Sequence, residues 1–221
     1  YAFDRSGNRT GQSLSLNGAA PTVTNYTYNA ANRITGDGTT TYAYDPNGNL
    51  VNAGAYVWDR ANRMRSYAGA DYAYDGLGNR VAQTVSSLTT RYLLDLQPGL
   101  AVVLSETAGA AVTRYVHSPR GIHAQKDSAN AWEWMAQDGL GSVRSVVDST
   151  ANVLWSTNYD PFGAGFGVLG TPQTPYSFTG EPTLPGGLVH LRARNYAPGL
   201  GVFASLDPFE GMMDRAMSLH G

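Results

Sequence analysis

The chain has 221 residues, enough for one or two domains with a hydrophobic core, and a formal net charge of −2 at pH 7. It lacks the basic field that would hold a nucleic acid by its phosphates, and without cysteine it has neither disulfides nor thiolate metal sites. No apolar run approaches the roughly 18 residues of a membrane-spanning helix. Abundant glycine and tyrosine favour strands broken by tight turns, which predicts an all-β protein.

The first 90 residues contain a nine-residue repeat. Its five copies are YAFDRSGNR from Tyr1, YTYNAANRI from Tyr26, YAYDPNGNL from Tyr42, YVWDRANRM from Tyr56 and YAYDGLGNR from Tyr72. In each copy a tyrosine and the aromatic two residues later share one strand face. The Asp or Asn after them begins a turn through hydrogen bonds to backbone amides, and Gly or Asn at the seventh position permits a positive φ. The pattern predicts a series of hairpins over residues 1–90.

The third repeat (42–50) and the fifth repeat (72–80) are the most alike. Their predicted structural residues are Tyr42, Tyr44, Asp45 and Gly48 in one copy, and Tyr72, Tyr74, Asp75 and Gly78 in the other. A lone hairpin cannot bury a face in water, whereas stacked hairpins can, with aromatic ladders across their strands. We therefore interpret each repeat as one rung of a sheet rather than as a ligand site of its own.

Residues 91–175 are predicted to continue this sheet. The strings RYLLDLQPGLAVVLSE, AVTRYVHSP and SVRSVVDST are hairpin candidates, and the Gly/Pro-rich residues 161–175 are predicted to form a long loop. Trp132 and Trp134 alternate on one strand face, and Trp155 comes later in the same region. These three are candidates for stacking on sugar rings if they are exposed, and core residues if they are buried.

Most of the charged candidate residues lie within residues 176–221. Arg192 and Arg194 alternate along a predicted strand that includes Tyr196, and we expect the two arginines to form ion pairs with carboxylates such as Glu181 or Asp207. The string EGMMDRAMSLHG, at the end of the chain, predicts a short helix that docks on the end of the sheet.

The motifs along the chain resemble those of the RHS family, bacterial relatives of the insecticidal toxin-complex C subunit and of animal teneurins. The repeats over residues 1–90 are similar to the YD repeat of that family. QDGLGSVRSVVDSTANVLWSTNYDPFG, from Gln137, is similar to its D-x-LGS-x-R…YDPFG segment. YSFTGEPTLPGGLVHLRARNYAPGLGVFASLDPFEG, from Tyr176, is similar to its RHS-associated core.

The resemblance implies a fold and a function. The fold is a spiralling antiparallel sheet of YD-repeat hairpins over 1–90, continued over 91–175 and closed by the core over 176–221, which makes a partial shell. The function is structural: a piece of a longer bacterial RHS protein, secreted or at the cell surface, whose shell encloses or presents a C-terminal payload in a polymorphic toxin system. The expected partners are the rest of the native chain and its payload, and open sheet edges invite self-association. No cofactor or metal is expected.

Three alternatives remain open from the sequence. The resemblance implies aspartyl self-cleavage at the core, where Asp207 in SLDPFEG matches the first core Asp. That chemistry needs a second carboxyl sharing one proton, and the second Asp of the family is missing before Gly221, while Ala197 stands where an Asp is usual. A hydrolase requires a Ser or Asp within hydrogen-bond reach of a histidine in a pocket. Recognition of cell-surface glycans requires exposed tryptophans.

Overall fold

The structure, a computed structural model, describes residues 1–15, 18–52, 55–97 and 100–207. The chain divides into two compact units, Tyr1–Tyr56 and Val57–Gly221. The described parts of both units are built from antiparallel strands joined by tight turns, as the Gly- and Tyr-rich composition predicts.

The first unit consists of short strands. They are β1 (Ala2–Phe3), β2 (Arg9–Leu14), β3 (Thr22–Asn25), β4 (Thr27–Tyr28) and β5 (Ile34–Gly36). Strands β1, β2 and β3 form one sheet in that order, and β4 pairs with β5. The third repeat is closed by a single antiparallel bridge between Tyr44 and Leu50.

A sheet of twelve strands continues the chain, in strict sequence order. Its strands are β6 (Tyr56–Trp58), β7 (Met64–Tyr67), β8 (Ala70–Tyr74), β9 (Arg80–Val85), β10 (Leu88–Asp95), β11 (Val102–Ala108), β12 (Ala111–Ser118), β13 (Gly121–Lys126), β14 (Trp132–Gln137), β15 (Val143–Asp148), β16 (Val153–Tyr159) and β17 (Gly165–Gly170). Each strand lies beside its neighbours in the sequence, so every connection is a hairpin. The sheet runs through residue 90 without a break, because that residue lies inside β10.

The closing segment (residues 176–207) carries a small sheet of its own. Its strands are β18 (Val189–Leu191), β19 (Arg194–Ala197) and β20 (Val202–Phe203). Tyr176, at its start, joins the main hydrophobic cluster of the large sheet. The other members of that cluster are Tyr115, Ile122, Met135, Val143, Val146 and Trp155. Full burial of an aliphatic or aromatic side chain is worth about 1.5–3 kcal/mol, so this cluster anchors the segment to the sheet.

The large sheet curls around the closing segment. Asn195 donates its Nδ2 hydrogen to Met64 Sδ at 3.6 Å, and the adjacent Tyr196 donates its hydroxyl hydrogen to Phe162 O at 2.9 Å. Met64 lies at the start of β7 and Phe162 lies just after β16, so two distant parts of the sheet meet neighbouring residues of β19. The spiralling, all-β architecture expected from the sequence is confirmed.

Two local expectations were wrong. Residues 161–175 contain the edge strand β17, because an edge strand bonds on one side only and tolerates glycine. At Gly170, with φ +74°, a Cβ would collide with Leu154 O, so only glycine allows this approach. Arg192 lies in a two-residue turn at φ +60°, between β18 and β19, rather than on a strand beside Arg194.

The predicted C-terminal helix falls in residues 208–221, outside the described residues. Within the part of the chain that the structure does describe, no helix is long and apolar enough to span a membrane.

Candidate functional site

The side chain of the Asp or Asn closes each repeat. In the fifth repeat, Asp75 Oδ1 accepts hydrogen bonds of 2.9 Å from the backbone N–H groups of Leu77 and Asn79, and Oδ2 accepts one of 2.9 Å from the Asn79 side chain. Gly78 donates its N–H to Asp75 O at 3.2 Å with a φ of +90°. These bonds favour the carboxylate: the Asn79 side chain, together with backbone donors, lowers the pKa of Asp75.

The third repeat forms the same turn. Asp45 Oδ1 accepts from the Asn49 backbone at 2.8 Å, and Oδ2 accepts from the Asn49 side chain at 2.9 Å. Gly48 has a φ of +79°. Tyr42 donates its hydroxyl hydrogen to Asp37 Oδ2 at 2.6 Å. These bonds are local, which supports a structural role for the repeat.

Tyrosine hydroxyls tie the third and fifth repeats to the repeats before them. Tyr44 donates to Ile34 O, and Tyr74 donates to Met64 O, both at 2.9 Å. Ile34 and Met64 are the ninth residues of the preceding repeats. Tyr72, at the first position of the fifth repeat, is buried. The aromatic pairs therefore act as connectors between hairpins.

Four further turns of this kind occur where the sequence predicts only a general continuation of the sheet. In each of them an Asp donates its N–H to the carbonyl four residues on and accepts that residue's N–H on Oδ1, and the residue three positions on has a positive φ; they begin at Asp127, Asp138, Asp148 and Asp160. The spacing Asp-x-x-Gly/Asn/Ala would have found them. They were missed because the leading pair of aromatics is absent.

The ninth position of the repeat is a core position. The five residues there are at most 7% exposed: Arg9, Ile34, Leu50, Met64 and Arg80. Three of the five are apolar. Arg9 donates a hydrogen bond from Nη1 to Gln12 Oε1 at 3.0 Å, whereas Arg80 forms no side-chain hydrogen bond or ion pair among the described residues. Arg80 contacts the faces of Tyr72 and Tyr92, with its guanidinium carbon 5.8 Å and 5.1 Å from the ring centroids.

Arg80 lines a cavity of about 280 Å³ between the large sheet and the closing segment; we call it the Arg80 cavity. Its ionisable and imidazole side chains come from β9, β12 and the closing segment, and they are Arg80, His117, Glu181, His190 and Arg192. The remaining lining is largely apolar. A cavity with a few polar groups among apolar ones is the usual form of a small-molecule site.

Burial favours the neutral form of both histidines of the cavity. His190 donates from Nδ1 to Asn195 Oδ1 at 2.9 Å, because the amide nitrogen of Asn195 is already directed at Met64 Sδ. His117 donates from Nε2 to Val103 O at 2.9 Å. Burial, with the positive charge of Arg80, lowers the pKa of His190 to about 3, and burial also lowers the pKa of His117. His190 Nε2 and His117 Nδ1 are therefore lone-pair acceptors.

The two arginines of the closing segment pair with the carboxylates named from the sequence. Arg192 contacts Glu181 Oε1 through Nη2 at 2.9 Å and Nε at 3.0 Å, and burial raises the pKa of Glu181 while this partner opposes the shift. Arg194 contacts Asp207 Oδ2 at 2.7 Å and lies 3.7 Å above the Phe203 ring. Both pairs join separate parts of the closing segment and hold its fold together.

The three tryptophans lie in two different environments. Trp132 is 40% exposed and stacks on Trp134, with centroids 6.2 Å apart, and Lys126 Nζ lies 5.4 Å from the Trp132 ring. Trp155 is buried in the main cluster, because β16 directs it inward with Thr157, so of the two interpretations open from the sequence it is a core residue and not a candidate for stacking on sugar rings. Glycan binding at Trp132 and Trp134 stays a prediction.

The geometry required for the hydrolase alternative is not met by the hydrogen bonds of His117 and His190, whose partners are a backbone carbonyl and an amide. Over the described ranges, no three His, Asp or Glu residues come together as a metal site. Asp207 is held by Arg194, and a catalytic role for it stays a prediction.

A long sheet of Asp-turn hairpins in strict sequence order, curled around a closing segment, defines the class of repeat-built β shells. Comparison with known proteins agrees with this architecture. The chain matches the Teneurin YD-shell family over residues 1–217, and it belongs to that family. The resemblance to RHS and YD-repeat proteins is thereby confirmed.

Two curated relatives are similar over the whole chain. It is 28% identical to the tRNA nuclease WapA of Bacillus subtilis (strain 168) and 29% identical to the tRNA3(Ser)-specific nuclease WapA of Bacillus spizizenii. The chain spans 10% of the length of either protein.

Solved structures show the same fold at low identity. The pore form of the Photorhabdus luminescens Tc holotoxin has a TM-score of 0.75 at 19% identity, over 100% of this chain and 12% of that one. The TcdB2-TccC3 structure has a TM-score of 0.71 at 17% identity, over 97% of this chain and 12% of that one. These likenesses show the fold, and the family match over residues 1–217 makes the chain a segment of a YD-repeat shell.

Proposed function

We propose that this shell segment is the closing end of a secreted bacterial RHS protein that encloses or presents a C-terminal payload. The supporting observation is the attachment of the closing segment to the large sheet. Its adjacent residues Asn195 and Tyr196 form hydrogen bonds to Met64 and Phe162, which lie in distant parts of that sheet. A segment fixed at both points holds the curl of the sheet, which a container for a second polypeptide requires.

A pair of neighbouring glycines allows the attachment of the closing segment to the large sheet to be tested. Gly186 and Gly187 have φ values of +80° and +82°, so alanine strains the backbone equally at both. At Gly186, however, the new Cβ would collide with Tyr67 and lie 2.6 Å from Ala68 Cβ, whereas at Gly187 it meets nothing within 4 Å. Gly186→Ala should therefore displace the closing segment and Gly187→Ala should not.

The experiment uses the full native reading frame. Protein from the growth medium is treated with protease, and cleavage of the region beyond residue 221 is monitored by mass spectrometry. We expect slow cleavage in the wild type and in Gly187→Ala, and at least tenfold faster cleavage in Gly186→Ala. Equal rates in all three proteins would show that the closing segment encloses nothing, and absence from the medium would contradict secretion.

A second candidate function is self-cleavage, with Asp207 as one carboxyl of a dyad. Its side chain is fixed at 2.7 Å by Arg194, which gives it a defined position at the end of the closing segment. The masses of the native chain, an Asp207→Asn variant and an Asp148→Asn control are compared. A cut native chain and control beside a whole Asp207→Asn variant support self-cleavage, whereas three identical masses refute it.

A further inference from the structure

The position of Arg80 in the repeat is the first indication of a ligand. The equivalent residues of the second, third and fourth repeats are Ile34, Leu50 and Met64, each at most 1% exposed. An arginine here, as at Arg9 in the first repeat, places a charge where the other three repeats have an aliphatic side chain. Burying a charge without a partner costs several kcal/mol, so the fold alone favours an apolar residue at this position.

The absence of a partner is the second indication. Among the described residues, no ion pair or side-chain hydrogen bond includes Arg80, although the side chain is only 7% exposed. The rings of Tyr92 and Tyr72 lie 5.1 Å and 5.8 Å from the guanidinium carbon, and the buried Nη1 has no hydrogen-bond partner among the described residues. Arg9, at the same position of the first repeat, has a glutamine acceptor. A buried polar group left unsatisfied requires an explanation, and a bound ion or ligand is one that the adjoining cavity allows.

The charge of the Arg80 cavity is the third indication of a ligand. Its charged lining residues are Arg80, Arg192 and Glu181, and the last two neutralise each other at 2.9 Å. With neutral histidines, the lining of this cavity has one positive charge in excess. The Glu106 carboxylate borders an adjoining pocket with Arg80 and attracts it, but the two form no ion pair among the described residues. The bare histidine nitrogens are acceptors and Arg192 is engaged by Glu181, so Arg80 is the donor left for an anionic group.

The cavity also has room for an apolar body. Its lining includes Leu94, Val102, Val103 and Ile122. An apolar cavity of about 150 Å³ admits benzene, and the volume here, about 280 Å³, exceeds that. A planar carboxylate fits the guanidinium fork of an arginine, with two parallel N–H···O bonds.

We propose that the Arg80 cavity binds a small organic monocarboxylate, with the carboxylate on Arg80 and the apolar remainder against the strands of the large sheet. The inference is independent of the payload and of self-cleavage. The carboxylate comes either from a free small molecule or from a side chain elsewhere in the native protein, and the experiment distinguishes these sources.

Benzoate is the probe, with benzamide as its uncharged isostere. Binding to the 221-residue protein is measured by calorimetry at constant ionic strength, with chloride as the balancing anion. We expect saturable binding of benzoate with 1:1 stoichiometry, and at least tenfold weaker binding of benzamide. Equal binding of the two compounds, or none of benzoate, would overturn the proposal without any variant.

The Arg80→Met variant tests whether benzoate binds through Arg80. It copies Met64 at the same position of the fourth repeat, so the variant should fold, which circular dichroism verifies. Arg91→Met is the matched control, because Arg91 is exposed on the adjacent strand β10. We expect at least a tenfold loss of benzoate affinity in Arg80→Met and none in Arg91→Met. A folded Arg80→Met protein with unchanged affinity would overturn the assignment.

The native-length protein separates the two sources. If a free molecule is the natural ligand, benzoate binds the native chain as it binds the 221-residue protein. If the native chain supplies its own carboxylate, benzoate binding is lost in the native chain although it is present in the 221-residue protein. Both results require that benzoate is preferred over benzamide and that its binding depends on Arg80.

Discussion

The third and fifth repeats form the same Asp turn and differ at their ninth residue. Leu50 is fully buried in the first unit, and Arg80 is buried in the second without a hydrogen-bond partner among the described residues. Since both copies have the turn bonds and the positive φ of Gly48 or Gly78, the turn does not depend on the identity of the ninth residue. The comparison shows that the repeat fixes the hairpin and accommodates different residues at its ninth position, which is where Arg80 carries the proposed binding.

Exchanging the ninth residue should have the largest effect in the first unit. Leu50→Arg puts an uncompensated charge at a position with 0% exposure, and it should lower the free energy of unfolding by about 3–5 kcal/mol. Hydrogen exchange of the backbone amides in the first unit measures this change in the free energy of unfolding. Leu50→Met is the control and should cost less than about 1.5 kcal/mol. A cost for Leu50→Arg below that of the control would mean that the site already accommodates a cation.

The second largest effect should be that of acid, which should lower the stability of the second unit more than that of the first. All four histidines come after residue 56, and the pKa of His190 in the folded state is about 3 against an ordinary value of 6.5. The unfolded chain therefore binds more protons between these values. The stability that neutral His190 contributes is complete above about pH 6.5 and is lost as the pH falls towards 3, with a slope of at most about 1.4 kcal/mol per pH unit.

The acid effect is measured by urea unfolding between pH 4.5 and 7. The four tryptophans all come after residue 56, so their fluorescence reports on the second unit. His190→Gln keeps a donor for Asn195 without titrating, and it should flatten the dependence. An equal slope in this variant would assign the titration to other groups, such as His117.

Removing the charge from the fifth repeat should stabilise it. Arg80→Met restores the residue type of the fourth repeat, and it should raise the free energy of unfolding by about 2 kcal/mol in buffer without carboxylates. Chemical denaturation monitored by tryptophan fluorescence measures the change. A loss of stability instead would mean that the contacts with Tyr72 and Tyr92 and the attraction of Glu106 outweigh the cost of burying the charge.

The smallest effect should be the same in both repeats. Gly48→Ala and Gly78→Ala place a Cβ at φ +79° and +90°, which should cost about 1 kcal/mol each. Denaturation of each variant, read by hydrogen exchange in the unit concerned, gives the two values. A difference well above 0.5 kcal/mol between them would show that the two turns are not equivalent.

The sequence by itself determined the hairpins. Asp, Gly and Asn at fixed spacing act through hydrogen bonds to residues at most four positions away, so a linear pattern contains all the information that such a turn requires. For the same reason, the turns at Asp127, Asp138, Asp148 and Asp160 were within reach of a pattern that did not demand aromatics. The pairing of Arg192 with Glu181 could be expected from charge alone.

Only the tertiary structure decided which residues meet across the sheet. Arg80, His117 and His190 are far apart in the chain, and their shared cavity exists because the closing segment lies against the curled sheet. Trp155 is buried and Trp132 is exposed, although both belong to the same kind of aromatic pattern. The missing partner of Arg80 is likewise a property of three-dimensional packing, since desolvation and hydrogen-bond distance depend on neighbours that no local pattern specifies.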